Sequence, residues 1–98
     1  MNTKSYSGNM DSVALLNLTH IYKVIRNAKN NGHRRIYITV DLADHSVNTN
    51  IGYTTDWDAA EPYIMAGVEY CYSVKLLEVD NINAEVENIR RWYETHWV

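Results

Sequence analysis

The spacing of apolar residues changes along the chain, and these changes predict where helices give way to strands. Up to about Lys29, apolar residues recur at steps of three and four, which is typical of an amphipathic helix. We predict that this helix begins near Asp11 or Ser12, both good N-caps, and ends at residues 30–32. His20 lies on the apolar stripe and is interpreted as a core histidine.

Strict alternation of apolar and polar residues follows and predicts strands, the first of which, at residues 35–42, should have one face buried. Residues 35–42 and 47–54 alternate on either side of a turn at 43–46, which predicts an antiparallel hairpin. The second strand is the more polar, and its Asn residues favour an edge position. Residues 68–79 alternate in the same way and predict a third strand.

Two further helices complete the predicted architecture. A short helix should cover about residues 56–66, with Thr55 and Asp58 forming a variant capping box and Pro62 breaking or delaying it. The last helix should begin at Asn81 or Asn83 and run to about residue 96.

The resulting order is α-β-β-(short α)-β-α. It predicts an α+β fold with a three-stranded antiparallel sheet and the N- and C-terminal helices packed on one face. Residues 1–9 are interpreted as a flexible N-terminus and residues 10–98 as a single domain. The predicted core includes Ile38, Val40, Val74 and Ile89.

Composition supports one ordinary globular domain. The chain has 98 residues, of which 46% are hydrophobic and 21% are charged, so disorder is not expected. A single cysteine cannot form an intrachain disulfide. The polar N-terminus is unlike a signal peptide, and no apolar run is long enough to span a bilayer. We therefore expect a cytoplasmic protein that does not insert into a membrane.

Candidate catalytic and metal-binding residues are sparse. The turn residues Asp41, Asp44 and His45 could supply oxygen and nitrogen ligands, but the EF-hand spacing is absent and Asp is favoured in turns for backbone reasons. Cys71 lies in a predicted strand and is interpreted as a packed small residue. We predict a protein with no catalytic residues, no metal and no cofactor, and keep as an alternative a small enzyme that uses this turn.

Charge and aromatic content point to a binding surface. Residues 1–50 carry six Lys and Arg against three acids, whereas residues 51–98 carry three against nine. The chain has eight Tyr and three Trp but no Phe, and Tyr and Trp suit interfaces. The predicted partner-binding residues lie in the short helix and on the exposed side of the last helix: Asp56, Trp57, Asp58, Glu61, Tyr63, Glu87, Arg91 and Glu94.

The predicted order also occurs in double-stranded-RNA-binding domains. Those domains need a basic surface for phosphates. Here the last helix is rich in Glu and offers only Arg90 and Arg91. Direct nucleic-acid binding is therefore not expected.

The segment Tyr6-Ser7-Gly8-Asn9-Met10, followed directly by a predicted helix, resembles the opening of the small inhibitors of host dGTPase made by T7-like phages. The predicted strand at residues 68–79 has no counterpart in that family. The resemblance implies a phage protein that binds and inactivates a host enzyme in the host cytoplasm. Anti-CRISPR proteins share the profile of a short, cysteine-poor chain without an active site, so the partner could be a host protein or a nucleoprotein complex. The alternative binding class is an immunity or antitoxin protein that neutralises a nuclease toxin, and a homo-oligomer is left open.

Overall fold

A computed structural model describes residues 14–40 and 51–97. These residues form four strands, three helices and two short 3-10 turns. In chain order they are β1 (Ala14–Leu15), a 3-10 turn (Leu18–His20), α1 (Ile21–Asn30), β2 (Arg35–Val40), β3 (Ile51–Thr54), α2 (Trp57–Ala66), β4 (Cys71–Lys75), a second 3-10 turn (Leu76–Glu78) and α3 (Ile82–Trp97).

The strands form one antiparallel sheet in the order β1-β3-β2-β4. The predicted α+β class is confirmed, with the three predicted strands joined by the two-residue β1. The prediction that the second strand lies at an edge is wrong, because β1 pairs with its outer side at Gly52 and Tyr53. The long edge of the sheet is instead β4, which pairs only with β2 among the described strands.

One face of the sheet carries the main apolar core. Ile36 and Ile38 of β2 and Val74 of β4 pack there against α1 and α3. Ile89 of α3 is completely buried in the same cluster. The four predicted core residues, among them Val40, are all buried. Ile38, Val74 and Ile89 also belong to this core cluster, which confirms that the predicted faces of the two strands point to the core.

The opposite face of the sheet is covered in part by α2. Tyr37 and Thr39 of β2 point away from the core cluster, yet both are buried. Ala59 and Ala60 are the buried residues of α2, and their small side chains let the helix lie close to the sheet. The fold therefore has three layers, and the expectation that β2 has one buried face is wrong.

The predicted first helix is wrong over its N-terminal part. Residues 14–15 pair with β3 as a strand, and the chain turns at Asn17, whose side chain accepts a hydrogen bond from the N–H of Thr19 at 2.9 Å. Asn is among the best N-caps, so the helical path begins only after it. His20 precedes α1 and is exposed, so it is not a core histidine. The predicted N-cap at Asp11 or Ser12 and the flexible segment 1–9 lie outside the described residues.

The later helices follow the prediction more closely. The N-cap of α2 is Asp56, which accepts from the N–H of Asp58 at 3.1 Å, so the predicted Thr55 cap is wrong by one residue. The helix continues through Pro62 instead of breaking there. Asn81 accepts from the N–H of Ala84 at 3.2 Å at the start of α3, as predicted. The third strand is shorter than predicted, because a 3-10 turn begins at residue 76.

Candidate partner-binding site

A cleft of about 440 Å³ lies between α2 and the sheet. It opens on the face opposite the main core, because α2 is only ten residues long and leaves part of β2 and β4 uncovered. Its lining is largely apolar and aromatic, with one cation: Arg35, Tyr37, Trp57, Ile64, Gly67, Val68, Cys71 and Ser73.

Trp57 forms one wall of the cleft. It is the first residue of α2, directly after the Asp56 cap, and its indole meets the ring of Tyr37 edge-on with centroids 6.2 Å apart. The residue is nevertheless 51% exposed. One side of the Trp57 indole therefore packs against Tyr37, and the rest of its surface is exposed to the cleft.

The other end of the cleft is shaped by the connection from α2 to β4. Gly67 has φ of 139°, a conformation that residues with a Cβ rarely adopt. A Cβ there would also collide with the Glu69 side chain. The carbonyl of Val68 accepts from the indole N–H of Trp92 at 2.8 Å, and Trp97 donates to the carbonyl of Glu69. These bonds fix the loop so that the Val68 side chain is 75% exposed beside the cleft.

Two basic side chains stand together at the Trp57 end. Arg35 and Lys75 are directly paired across β2 and β4, and both are exposed. Arg35 donates to the Ser73 hydroxyl at 3.4 Å. Within the described part of the chain, neither cation has a carboxylate at ion-pair distance. Arg35 lines the cleft itself, whereas Lys75 also borders a second pocket with Glu78 and Glu85, so it is Arg35 in particular that favours an anionic group at this end.

Cys71 contributes an apolar surface to the cleft rather than a thiolate. Burial raises the pKa of its thiol from 9.0 to about 11, because a charged sulfur is poorly solvated there. The thiol therefore remains protonated at neutral pH, whereas nucleophilic chemistry needs the thiolate.

The predicted partner-binding residues fall into two separate groups. Five of them belong to α2 or its cap: Asp56, Trp57, Asp58, Glu61 and Tyr63. The other three are exposed on α3, on the opposite side of the sheet: Glu87, Arg91 and Glu94. The structure therefore does not bring them together into one acidic surface, and of the eight only Trp57 lines the cleft.

Sequence reasoning missed most of the residues that form the cleft. Arg35, Tyr37 and Val68 belong to strands or turns whose patterns indicated only which residues alternate. One signal for the cleft was present in the sequence: Gly67, which ends the short helix, is followed directly by the apolar residue Val68. The Asp41, Asp44 and His45 turn lies outside the described residues. Among the residues that the structure does describe, no group of three or more His, Cys, Asp or Glu could hold a metal ion.

The fold and the cleft define a three-layer α+β domain with an open, partly aromatic groove beside an edge strand. No helix in the described ranges is long and apolar enough to cross a membrane. Comparison with protein-family models, curated proteins and solved structures yields no match.

Proposed function

We propose that this chain is a non-enzymatic binding protein that docks a partner protein at the cleft between α2 and the sheet. The observation that carries the proposal is the half-exposed indole of Trp57 in an apolar cleft. Energetically dominant interface residues are enriched in Trp, Tyr and Arg and cluster in pockets that exclude water. Trp57 and Arg35 supply two of these types in the cleft, and Tyr37, which is itself buried, supports the Trp57 indole from below.

The resemblance of residues 6–10 to phage inhibitors supports an inhibitory role for this binding, and it rests on those residues alone, because the helix expected directly after them begins only after Asn17. Small phage inhibitors inactivate a host enzyme by occupying its surface, and a partly aromatic cleft on a 98-residue domain suits that role. The proposed protein is thus a phage-encoded, stoichiometric inhibitor that acts in the host cytoplasm. The acidic residues of α2, Asp56, Asp58 and Glu61, lie outside the cleft lining and would accelerate encounter with a basic region of the partner that is separate from the segment in the cleft.

The test begins with capture from bacterial lysate on the immobilised wild-type chain and on two variants, followed by mass spectrometry. Trp57→Ala removes the cleft indole, and Tyr22→Ala is the matched control. Tyr22 is an aromatic residue that is 41% exposed on α1, on the other side of the sheet. A captured protein is purified and its affinity for each variant is measured.

We expect Trp57→Ala to weaken binding at least tenfold, about 1.4 kcal/mol, and Tyr22→Ala to leave it unchanged. Half of an indole is buried, so Trp57→Ala costs at most about 2–3 kcal/mol of stability, and a melting curve identifies the range in which it is folded. If the captured protein is an enzyme, its activity should fall in proportion to added chain. Equal affinity of all three proteins would refute the proposal, as would turnover of a substrate by the chain alone.

A further inference from the structure

The β4 edge of the sheet retains backbone groups that a further strand could bind. The N–H of Leu76 donates to the carbonyl of Arg34, and the N–H of Val40 donates to the carbonyl of Tyr70, both at 2.9 Å. Residues 72, 74 and 76, together with the carbonyl of Tyr70, therefore direct their backbone groups toward β2. Because the direction alternates along an antiparallel strand, the backbones of Cys71, Ser73 and Lys75 point to the open edge.

These outward groups are unsatisfied within the described ranges. The N–H and C=O groups of Cys71 and Ser73 and the N–H of Lys75 make no hydrogen bond to another described residue. Ser73 and Lys75 are exposed, so the edge is accessible to solvent. A row of this kind is the template on which extended peptides add a strand.

The same three residues direct their side chains toward the cleft face. Cys71 and Ser73 line the cleft, and they share that face with Thr39 and Tyr37, their partners on β2. A strand added to β4 would therefore place every second side chain on the cleft side, since side chains alternate between faces. Val68 and Ile64 offer an apolar surface near Cys71, whereas Arg35 stands next to Lys75 at the other end.

We propose that the partner binds as an extended peptide segment added to β4, with an apolar side chain in the cleft beside Cys71 and an Asp or Glu beside Lys75. Since Cys71 and Lys75 are four positions apart in β4, the two peptide side chains also lie four positions apart. Charge complementarity favours an acidic side chain on the cleft face, because Arg35 is the one charged residue among the described residues that line the cleft, and neither Arg35 nor Lys75 has a described carboxylate at ion-pair distance. Lys75 also borders a second pocket with Glu78 and Glu85, so Arg35 carries the larger part of this preference. This inference rests on the proposed function and specifies its partner.

The probe is a displayed library of random ten-residue peptides selected on the purified 98-residue chain. Strand addition predicts enrichment of an aliphatic or aromatic residue four positions from Asp or Glu. An enriched peptide is synthesised, and its affinity is measured by calorimetry. Amide chemical shifts should change most at Cys71, Ser73 and Lys75.

Two variants test the backbone and the charge separately. Ser73→Pro removes an outward N–H without removing a bond to β2, and its matched control, Ser73→Thr, keeps that N–H; we expect at least tenfold weaker binding for the proline variant alone. Lys75→Glu should weaken binding about tenfold, and replacing the peptide acid by Lys should restore it. The charge exchange keeps the test decisive if the proline variant fails to fold.

Strand addition would be refuted if the selected peptides lacked an apolar residue four positions from Asp or Glu. It would also be refuted if the enriched peptides bound Lys75→Glu and a folded Ser73→Pro with the same affinity as wild type. That failure is distinguishable from failure of the proposed function, which depends on loss of partner binding in Trp57→Ala. A partner that needs Trp57 but tolerates both β4 variants would leave protein docking intact and refute only the strand mechanism. Enrichment of basic peptides would equally contradict it.

Discussion

Lys29 should stabilise the fold through a contact that links three elements. Its ammonium lies at the end of α1 and donates to the carbonyl oxygens of Leu76 at 2.9 Å and Val79 at 3.0 Å. Those carbonyls belong to the turn that connects β4 to α3. The sequence indicates only that a Lys near a helix C-terminus complements the helix dipole, so these bonds are a distinct and testable contribution.

Replacing Lys29 by Met keeps an apolar stem of similar length and removes the charged donor. Hydrogen bonds to charged groups contribute about 1.5–3 kcal/mol. Because Lys29 is partly solvated and the Leu76 carbonyl also accepts from the N–H of Val79 at 3.3 Å, we expect a combined loss of about 2 kcal/mol. For a domain of this size, that loss lowers the melting temperature by about 8–16 °C.

The assay is thermal and urea unfolding followed by circular dichroism, with Lys23→Met as the matched control. Lys23 lies on the same helix and is exposed, so the control makes the same chemical change away from the 76–79 turn. A shift common to both variants would reflect net charge or helix propensity. Melting temperatures within about 2 °C of each other, well below the shift that such a loss implies, would show that the Lys29 contacts contribute nothing.

Two further predictions concern the core and the tyrosine that joins β4 to α3. Ile89 is completely buried, so Ile89→Ala should lower the free energy of unfolding by about 2–5 kcal/mol. The control Val68→Ala, at a residue that is 75% exposed, should change that free energy by no more than about 0.5 kcal/mol. Equal losses for the two variants in urea titrations would contradict the assigned core. Burial, the hydrogen bond to Glu85 at 2.9 Å and the charge of Glu85 raise the pKa of Tyr72 from 10.0 to about 12. A group whose pKa is raised in the folded state stabilises the fold at pH values below its unfolded pKa, and this contribution is lost as the pH rises through the folded pKa. The stability advantage of wild type over Tyr72→Phe should therefore shrink from pH 10 to pH 12. A constant difference across that range would show that ionisation of Tyr72 is not linked to folding.

The sequence could predict the strands because their side chains alternate sharply. Ile36, Ile38 and Val40 share one face of β2. In a helix, residues two positions apart would not lie on one face with Tyr37 and Thr39 on the other, so the pattern indicates a strand. The final helix was equally clear, since its apolar residues recur with helical spacing and Asn81 caps it. Element type and core membership are thus encoded locally here.

The first helix was predicted too long because local pattern and tertiary pairing disagree. Apolar residues before Asn17 fit a helical stripe, but they also fit a strand, and pairing with Gly52 and Tyr53 of β3 decides between them. A good N-cap in the middle of a predicted helix was the signal against continuing it. Short apolar runs of this kind are ambiguous until their partners are known.

The cleft could not be predicted because it depends on how α2 crosses the sheet. Tyr37 and Thr39 read as the solvent side of a strand, yet α2 buries them. Ala59 and Ala60 allow α2 to pack closely on this face. Their small side chains do not indicate in the sequence which face of the sheet the helix will cover. Trp57 could be singled out as hard to bury, but its contact with Tyr37 is a property of the assembled layers.

One face of the sheet carries the main core and the other carries the cleft at which we propose binding, and in that proposal Lys75 affects which partner can bind at the β4 edge. Lysine on an edge strand discourages edge-to-edge pairing. If two β4 strands paired antiparallel about Ser73, each Lys75 would face Cys71 of the other copy, and the paired strand would desolvate its charge without supplying a carboxylate. An acidic peptide avoids that cost by placing a carboxylate beside the Lys75 ammonium and the Arg35 guanidinium. Lys75 thus discourages self-association and favours an acidic partner. Reversing its charge should therefore weaken the binding of an acidic peptide and permit the binding of a basic one.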